Sequence, residues 1–163
     1  MENELVIELR RRRIALMTLG SGVFAFGAWS ILKSYLYLWV NPIVFDGVAA
    51  DKLSAVTIIF YVIYTLFMLL DLLLRAYVGM GARAMGMGKK KGLTYMIVLS
   101  LMLAASVLSC LFMVLGRGDT RMENQSELDF FVSAFVELCN LGVLAELLYT
   151  VIRVKKLEKQ AEG

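Results

Sequence analysis

The chain is 163 residues long and 60 % hydrophobic, with a mean hydropathy of +0.72, too apolar for a soluble fold of that size. Its net charge of +3 collects beside apolar stretches, where it reads as a topology signal and not as a nucleic-acid footprint. It contains no histidine, which excludes imidazole general-base catalysis, His-ligated haem and the common His-based zinc sites, so no cofactor and no metal is expected.

Residues 2–9 mix acids with Leu5, Val6, Ile7 and Leu9, suiting a short surface helix or a continuation of the span that follows. Arg10, Arg11, Arg12 and Arg13 then precede an uncharged run over residues 14–32 that extends through aromatic residues to Val40. A basic start, an apolar run and Gly20-Ser21-Gly22 also have the form of a secretory signal, but an uncleaved anchor is expected. Ser21, Ala25 and Ala28 fall on one side of this helix and offer a small-residue face for close packing. Tyr35, Tyr37 and Trp39 read as an outer interfacial belt, and Pro42 ends the helix by Asn41.

The second span covers residues 53–76, interrupted by Asp71. Thr57, Tyr61, Tyr64, Met68, Asp71 and Arg75 recur at alternating steps of four and three, which places them on one helix face. Hydroxyls and a carboxylate are costly in hydrocarbon, so this polar seam must face protein or water. Asp71 precedes Arg75 by one turn, a favourable order for an ion pair. Arg75 is expected at the inner boundary with Asp71 about 6 Å deeper. Residues 79–88 repeat Gly-Met-Gly and lead into Lys89, Lys90 and Lys91. The segment lacks the glycine spacing and the Lys-Ser/Thr of a phosphate loop, and reads as a flexible basic loop against anionic headgroups.

The third span, residues 93–115, is uncharged, with Ser100, Ala104 and Ala105 as its small packing residues. Cys110 and Cys139 have no Cys-x-x-Cys spacing and read as packing residues. In the outer connection, Arg117-Gly118-Asp119 and Asn124-Gln125-Ser126 are patterns short enough to occur by chance. The fourth span, residues 129–153, puts Ser133, Glu137, Asn140 and Leu144 on one face and Glu146 on the opposite one. Two polar faces imply either a central helix or a second subunit, so a homo-oligomer or another membrane protein is the expected partner. Two charge groupings follow from depth: an outer pair of Lys33 with Glu137, and an inner cluster of Asp71, Arg75, Glu146 and Arg153. If Lys33 instead points outward, Glu137 is left unpaired and becomes a candidate proton or cation site.

Each stretch is long enough to cross a hydrocarbon core roughly 30 Å thick. The four arginines before span one, Arg75, Arg83 and the three lysines after span two, and Arg153, Lys155, Lys156 and Lys159 all fall on one side; Lys33, Lys52, Arg117 and Arg121 fall on the other. The positive-inside rule then sets both termini in the cytoplasm. The expected fold is an all-α, four-transmembrane-helix bundle forming a single domain, multi-pass in a bacterial plasma membrane. Arg10, Arg11, Arg12, Arg13, Lys89, Lys90 and Lys91 are expected to meet anionic lipid, and no nucleic acid is expected.

Three functional classes remain. The first is a small oligomeric ion or solute transport or channel subunit, with Tyr61, Tyr64, Asp71, Arg75, Glu137, Asn140 and Glu146 as its intramembrane polar residues. The second is a non-catalytic accessory or assembly subunit of a larger membrane complex. The third, least favoured, is a membrane enzyme using Asp71, Arg75 and Glu146, for which no nucleophile, base and orienter can be assigned.

Overall fold

A computed structural model describes residues 2–40, 50–115 and 127–162. They form four α-helices: α1 (Glu2–Val40), α2 (Ala50–Gly86), α3 (Leu93–Leu115) and α4 (Glu127–Glu162). All four are long and apolar enough to cross a membrane. The lead-in residues continue α1 without a break, and α1 runs on to Val40, short of Pro42. The side chains of Tyr37 and Lys52, the residues around Pro42, and the Arg-Gly-Asp and Asn-Gln-Ser patterns lie outside the described residues.

One helical face per element faces inward, and all four keep the four-three spacing: Leu16, Gly20, Val23 and Gly27; Val78, Ala82 and Met85; Tyr95, Leu99, Met102 and Ser106; Asn140, Leu144, Leu147, Val151 and Val154. Outward faces are apolar too, with Val62, Leu66, Phe67, Leu70, Leu108, Phe112, Phe131 and Phe135 all exposed. An apolar shell around a core that includes Asn140 and Thr150 inverts the soluble pattern and suits lipid.

Packing is uneven along the bundle. The core cluster is drawn from the half that carries both chain ends and the α2–α3 connection. There Tyr95 is buried and its hydroxyl donates to the Val78 carbonyl at 3.1 Å. Elsewhere α2 and α3 scarcely meet, whereas α1 lies against α2 and α4, and α4 against α3. The α2–α3 contact thus centres on Tyr95 at the termini end, while α1 stays packed on α2 and α4 toward the other end through Tyr35 and Lys33.

Two expectations are corrected here. The glycine-rich segment is not a flexible loop: α2 runs through Gly86, and its small residues pack on α1. A Cβ on Gly20 would stand 2.6 Å from the Gly79 carbonyl oxygen, and one on Gly79 would stand 2.6 Å from the Gly20 carbonyl oxygen. The two backbones touch, as small residues permit between membrane helices. The helix stops at Gly88, whose φ of 87° is left-handed. Lys89 N–H donates to the Ala84 carbonyl at 3.0 Å and Gly88 N–H to the Met85 carbonyl at 2.9 Å, the two bonds of a Schellman cap. Second, the small face of α1 is Gly20 and Gly27; Ser21, Ala25 and Ala28 are exposed, as are Ser100, Ala104 and Ala105 of α3, the last on the wall of a cleft. The buried stripe is set by contact with the α2 backbone, which needs glycine, and Ser21 spends its hydroxyl on its own helix, donating to the Met17 carbonyl at 3.1 Å.

Candidate functional site

A polar layer crosses the bundle close to the midpoint of α3. It is built on the predicted seam of α2, which continues inward beyond Arg75 as Val78, Ala82 and Met85. Arg75 Nε donates to Asp71 Oδ2 at 2.8 Å and Arg75 Nη1 donates to Asn140 Oδ1 at 2.9 Å. Asn140 Nδ2 in turn donates to Ser106 Oγ at 3.1 Å. This chain ties α2 to α4 and α4 to α3. Gly27 makes room for it, because a Cβ there would collide with Arg75 Cδ. Arg75 retains only 11 % of its side-chain exposure, its guanidinium turned into the bundle toward Asp71 and Asn140. Asn140 and Ser106 give the guanidinium a route across the bundle, and charge-assisted bonds of this kind are stronger than neutral ones.

Beside the layer lies a cleft of about 500 Å³. Arg75, Asp71 and Leu74 line it from α2, Val98, Leu101, Met102, Ala105, Ser106 and Ser109 from α3, Ser30 from α1 and Glu137 from α4. Its termini end is closed by the Tyr95 to Val78 contact. Its sides are α2 and α3 where they part, and the rim leucines Leu74 and Leu101 are exposed. Glu137 is half-buried, and among the described residues no hydrogen bond or ion pair engages its carboxyl. Arg75 and Asp71 neutralise each other, so the ionised cleft carries one net negative charge, on Glu137.

The remaining predicted polar residues lie away from this layer. Lys33 does reach α4, but donates to Ser133 and not to Glu137; Ser133 lies one turn nearer the end of the helix where the lysine sits. Tyr64 packs between α1 and its own helix, edge-on to Tyr35 and stacked on Phe60, while Tyr61 meets Phe60 edge-on. Tyr35 donates to Thr65 Oγ1 at 2.9 Å. The far half of the seam is thus an α1–α2 packing face and adds nothing to the cleft.

The expected cluster of Asp71, Arg75, Glu146 and Arg153 separates into two layers. Arg153 pairs with Glu8 at 2.9 Å, and Arg12 lies 3.9 Å from both Glu8 and Glu146. Arg12 also sits over the Tyr149 ring, its guanidinium carbon 5.4 Å from the centroid. Thr150 Oγ1 donates to Glu146 at 3.4 Å, and Arg13 pairs with Glu158 at 2.8 Å. The second polar face of α4 is therefore met in part by α1 of the same chain, through Arg12 and Glu8. Sequence spacing alone misses this, since it cannot say that residues near position 10 lie beside residues near position 150. It also misses Ser106, Ser109 and Ser30, because serine alone in an apolar run carries no signal of what it faces.

Both cysteines are free and half-buried, in keeping with a packing role. Among the described residues no three histidine, cysteine or acidic side chains converge as a metal site. Comparison with known protein families, curated proteins and solved structures finds no match to the chain, so the cleft must be read from its own chemistry.

Proposed function

We propose that the chain is a small transport subunit of a membrane, binding its solute in the cleft at the carboxyl of Glu137 beside the Asp71–Arg75 pair. One observation carries this: an acidic side chain without a protein partner among the described residues lines a mostly apolar cleft, beside a polar layer, between helices apolar enough to span a bilayer. A carboxyl in that position is costly unless it serves a bound cation or proton, which is why intramembrane ionisable groups mark solute paths. With α3 spanning the hydrocarbon, the layer falls near the bilayer centre. That is the depth at which carriers hold solute between alternating openings.

The termini end faces the cytoplasm in this reading. Arg10, Arg11, Lys89, Lys90 and Lys91 meet anionic headgroups of a bacterial plasma membrane, while Arg12 and Arg13 turn inward to acids of α1 and α4. An accessory subunit is the weaker alternative, because most intramembrane charges that a partner would engage already have one within the chain. An enzyme is weaker still: among the described residues no hydrogen bond joins a serine of the cleft to Glu137, so an activated nucleophile is lacking.

The test is flux through the purified chain reconstituted in liposomes, comparing wild type with Asp71→Asn and Glu137→Gln. Proton, sodium, potassium and tetraphenylphosphonium movement are followed separately. Transport is expected to fall at least about tenfold in Glu137→Gln for the solute carried. Folded, inserted variants that move every species as wild type does would refute the proposal.

A further inference from the structure

Resting on the transport proposal, the geometry points to a substrate class: we infer that the cleft takes a lipophilic organic monocation that enters sideways from the bilayer between α2 and α3. Charge comes first. Asp71 and Arg75 are joined at 2.8 Å and cancel, which leaves Glu137 as the one uncompensated charge among the described residues of the cleft wall and favours a single positive charge. An ammonium or phosphonium group near Glu137 gains Coulomb energy that is large in a medium of low dielectric constant.

Size and lining argue for an organic ion over a bare metal ion. The cleft encloses about 500 Å³, within the roughly 300–1,000 Å³ of sites for drug-sized ligands. Multivalent hard cations need six or more converging oxygens, and among the described residues no group of three acidic, cysteine or histidine side chains offers them. Leu74, Val98, Leu101 and Met102 supply apolar wall, and the hydroxyls of Ser109 and Ser30 supply a few polar points. Such a balance suits an ion whose charge is wrapped in hydrocarbon.

The route of entry follows from packing. Tyr95 seals α2 against α3 at the termini end, donating to the Val78 carbonyl, and its ring occupies the space a Cβ on Gly81 would need. Beyond that seal the two helices separate, and the rim residues Leu74 and Leu101 remain exposed. A solute already dissolved in lipid meets the exposed Leu74 and Leu101 of the cleft wall first. A hydrated inorganic ion would have to shed its water at the same apolar rim, which is costly.

Equilibrium binding of tetraphenylphosphonium to the full chain in lipid nanodiscs tests this without requiring transport. Tetraphenylborate, similar in shape and opposite in charge, is the control. Saturable binding of tetraphenylphosphonium is expected, weakened at least about tenfold by Glu137→Gln, with no saturable binding of tetraphenylborate. Ser109→Phe, which adds bulk to the α3 wall of the cleft and leaves every charge in place, is expected to weaken binding as strongly. It decides the matter if Glu137→Gln does not fold. Tetraphenylphosphonium binding that is indifferent to both substitutions, or equal binding of the borate, would overturn the inference. Glu137-dependent binding without any flux would keep the site and refute transport. Glu137-dependent flux of an inorganic cation without tetraphenylphosphonium binding would keep transport and refute this substrate class.

Discussion

Arg75 holds the polar layer together, and its position changes what its neighbours are for. Near a membrane boundary it would be a snorkelling cation with Asp71 as its companion. Placed against Gly27 and bonded to Asn140, it becomes a buried crosslink between α2 and α4. Removing one partner of a buried pair strands the other. Arg75→Met is therefore expected to destabilise the protein by about 3 kcal/mol, at the low end for buried pairs because Asp71 keeps 41 % of its side-chain exposure. Thermal unfolding in a fixed detergent measures this. The double variant Asp71→Asn, Arg75→Met should regain part of the loss, since no unpaired charge is left; a strictly additive double variant would show that the pair is not coupled. That Asp71 and Arg75 pair is readable from their one-turn spacing. Asn140 as the second partner is not, because it lies 65 positions away in the chain.

Helix contacts follow from small residues at the level of single elements. Gly20 and Gly79 bring α1 and α2 to backbone contact, so Gly79→Leu is expected to cost roughly 1–3 kcal/mol through forced separation of the helices. Gly142 has nothing within 4 Å of a Cβ, and Gly142→Ala should be neutral or stabilising by up to about 1 kcal/mol through helix propensity. Equal losses in the two variants would show that the α1–α2 contact is not glycine-dependent. Gly88, with its φ of 87°, is a different case: an alanine there is expected to cost about 1 kcal/mol from left-handed strain alone. Comparing the unfolding of Gly88→Ala with that of Gly92→Ala, where the space is open, isolates this backbone effect. The periodic polar seam of α2 and the face shared by Glu137 and Asn140 are legible in the amino-acid order, because a helix converts spacing into direction. The length of α2 is not, since a glycine-rich segment reads as a loop until a neighbouring helix is known to need it.

Across the whole molecule, α1 packs along both α2 and α4 while α2 and α3 touch little beyond Tyr95, and the cleft lies beside that sparse contact. Basic residues collect at the termini end, where α1, α4 and the α2–α3 connection meet. In native vesicles, cysteines introduced at Glu4 and Gln160 of a chain lacking Cys110 and Cys139 are expected to react with a membrane-impermeant maleimide from the cytoplasmic side only. A cysteine at Trp39 is expected to react from the opposite side only. Labelling of positions 4 and 160 from different sides would contradict the antiparallel pairing of α1 with α4 that brings Arg13 to Glu158 and Arg153 to Glu8. The number of apolar helices, the polar faces of α2 and α4 and the charge asymmetry between ends are legible in the amino-acid order, because these depend on composition and on a period of 3.6 residues. Only the tertiary structure decided which polar faces meet: Glu146 answered by Arg12 within the chain, Arg75 by Asn140, Lys33 by Ser133, and Glu137 left facing the cleft. Those pairings depend on the rotation and offset of one helix against another, which for α1 and α2 follow from where glycine lets the two backbones touch.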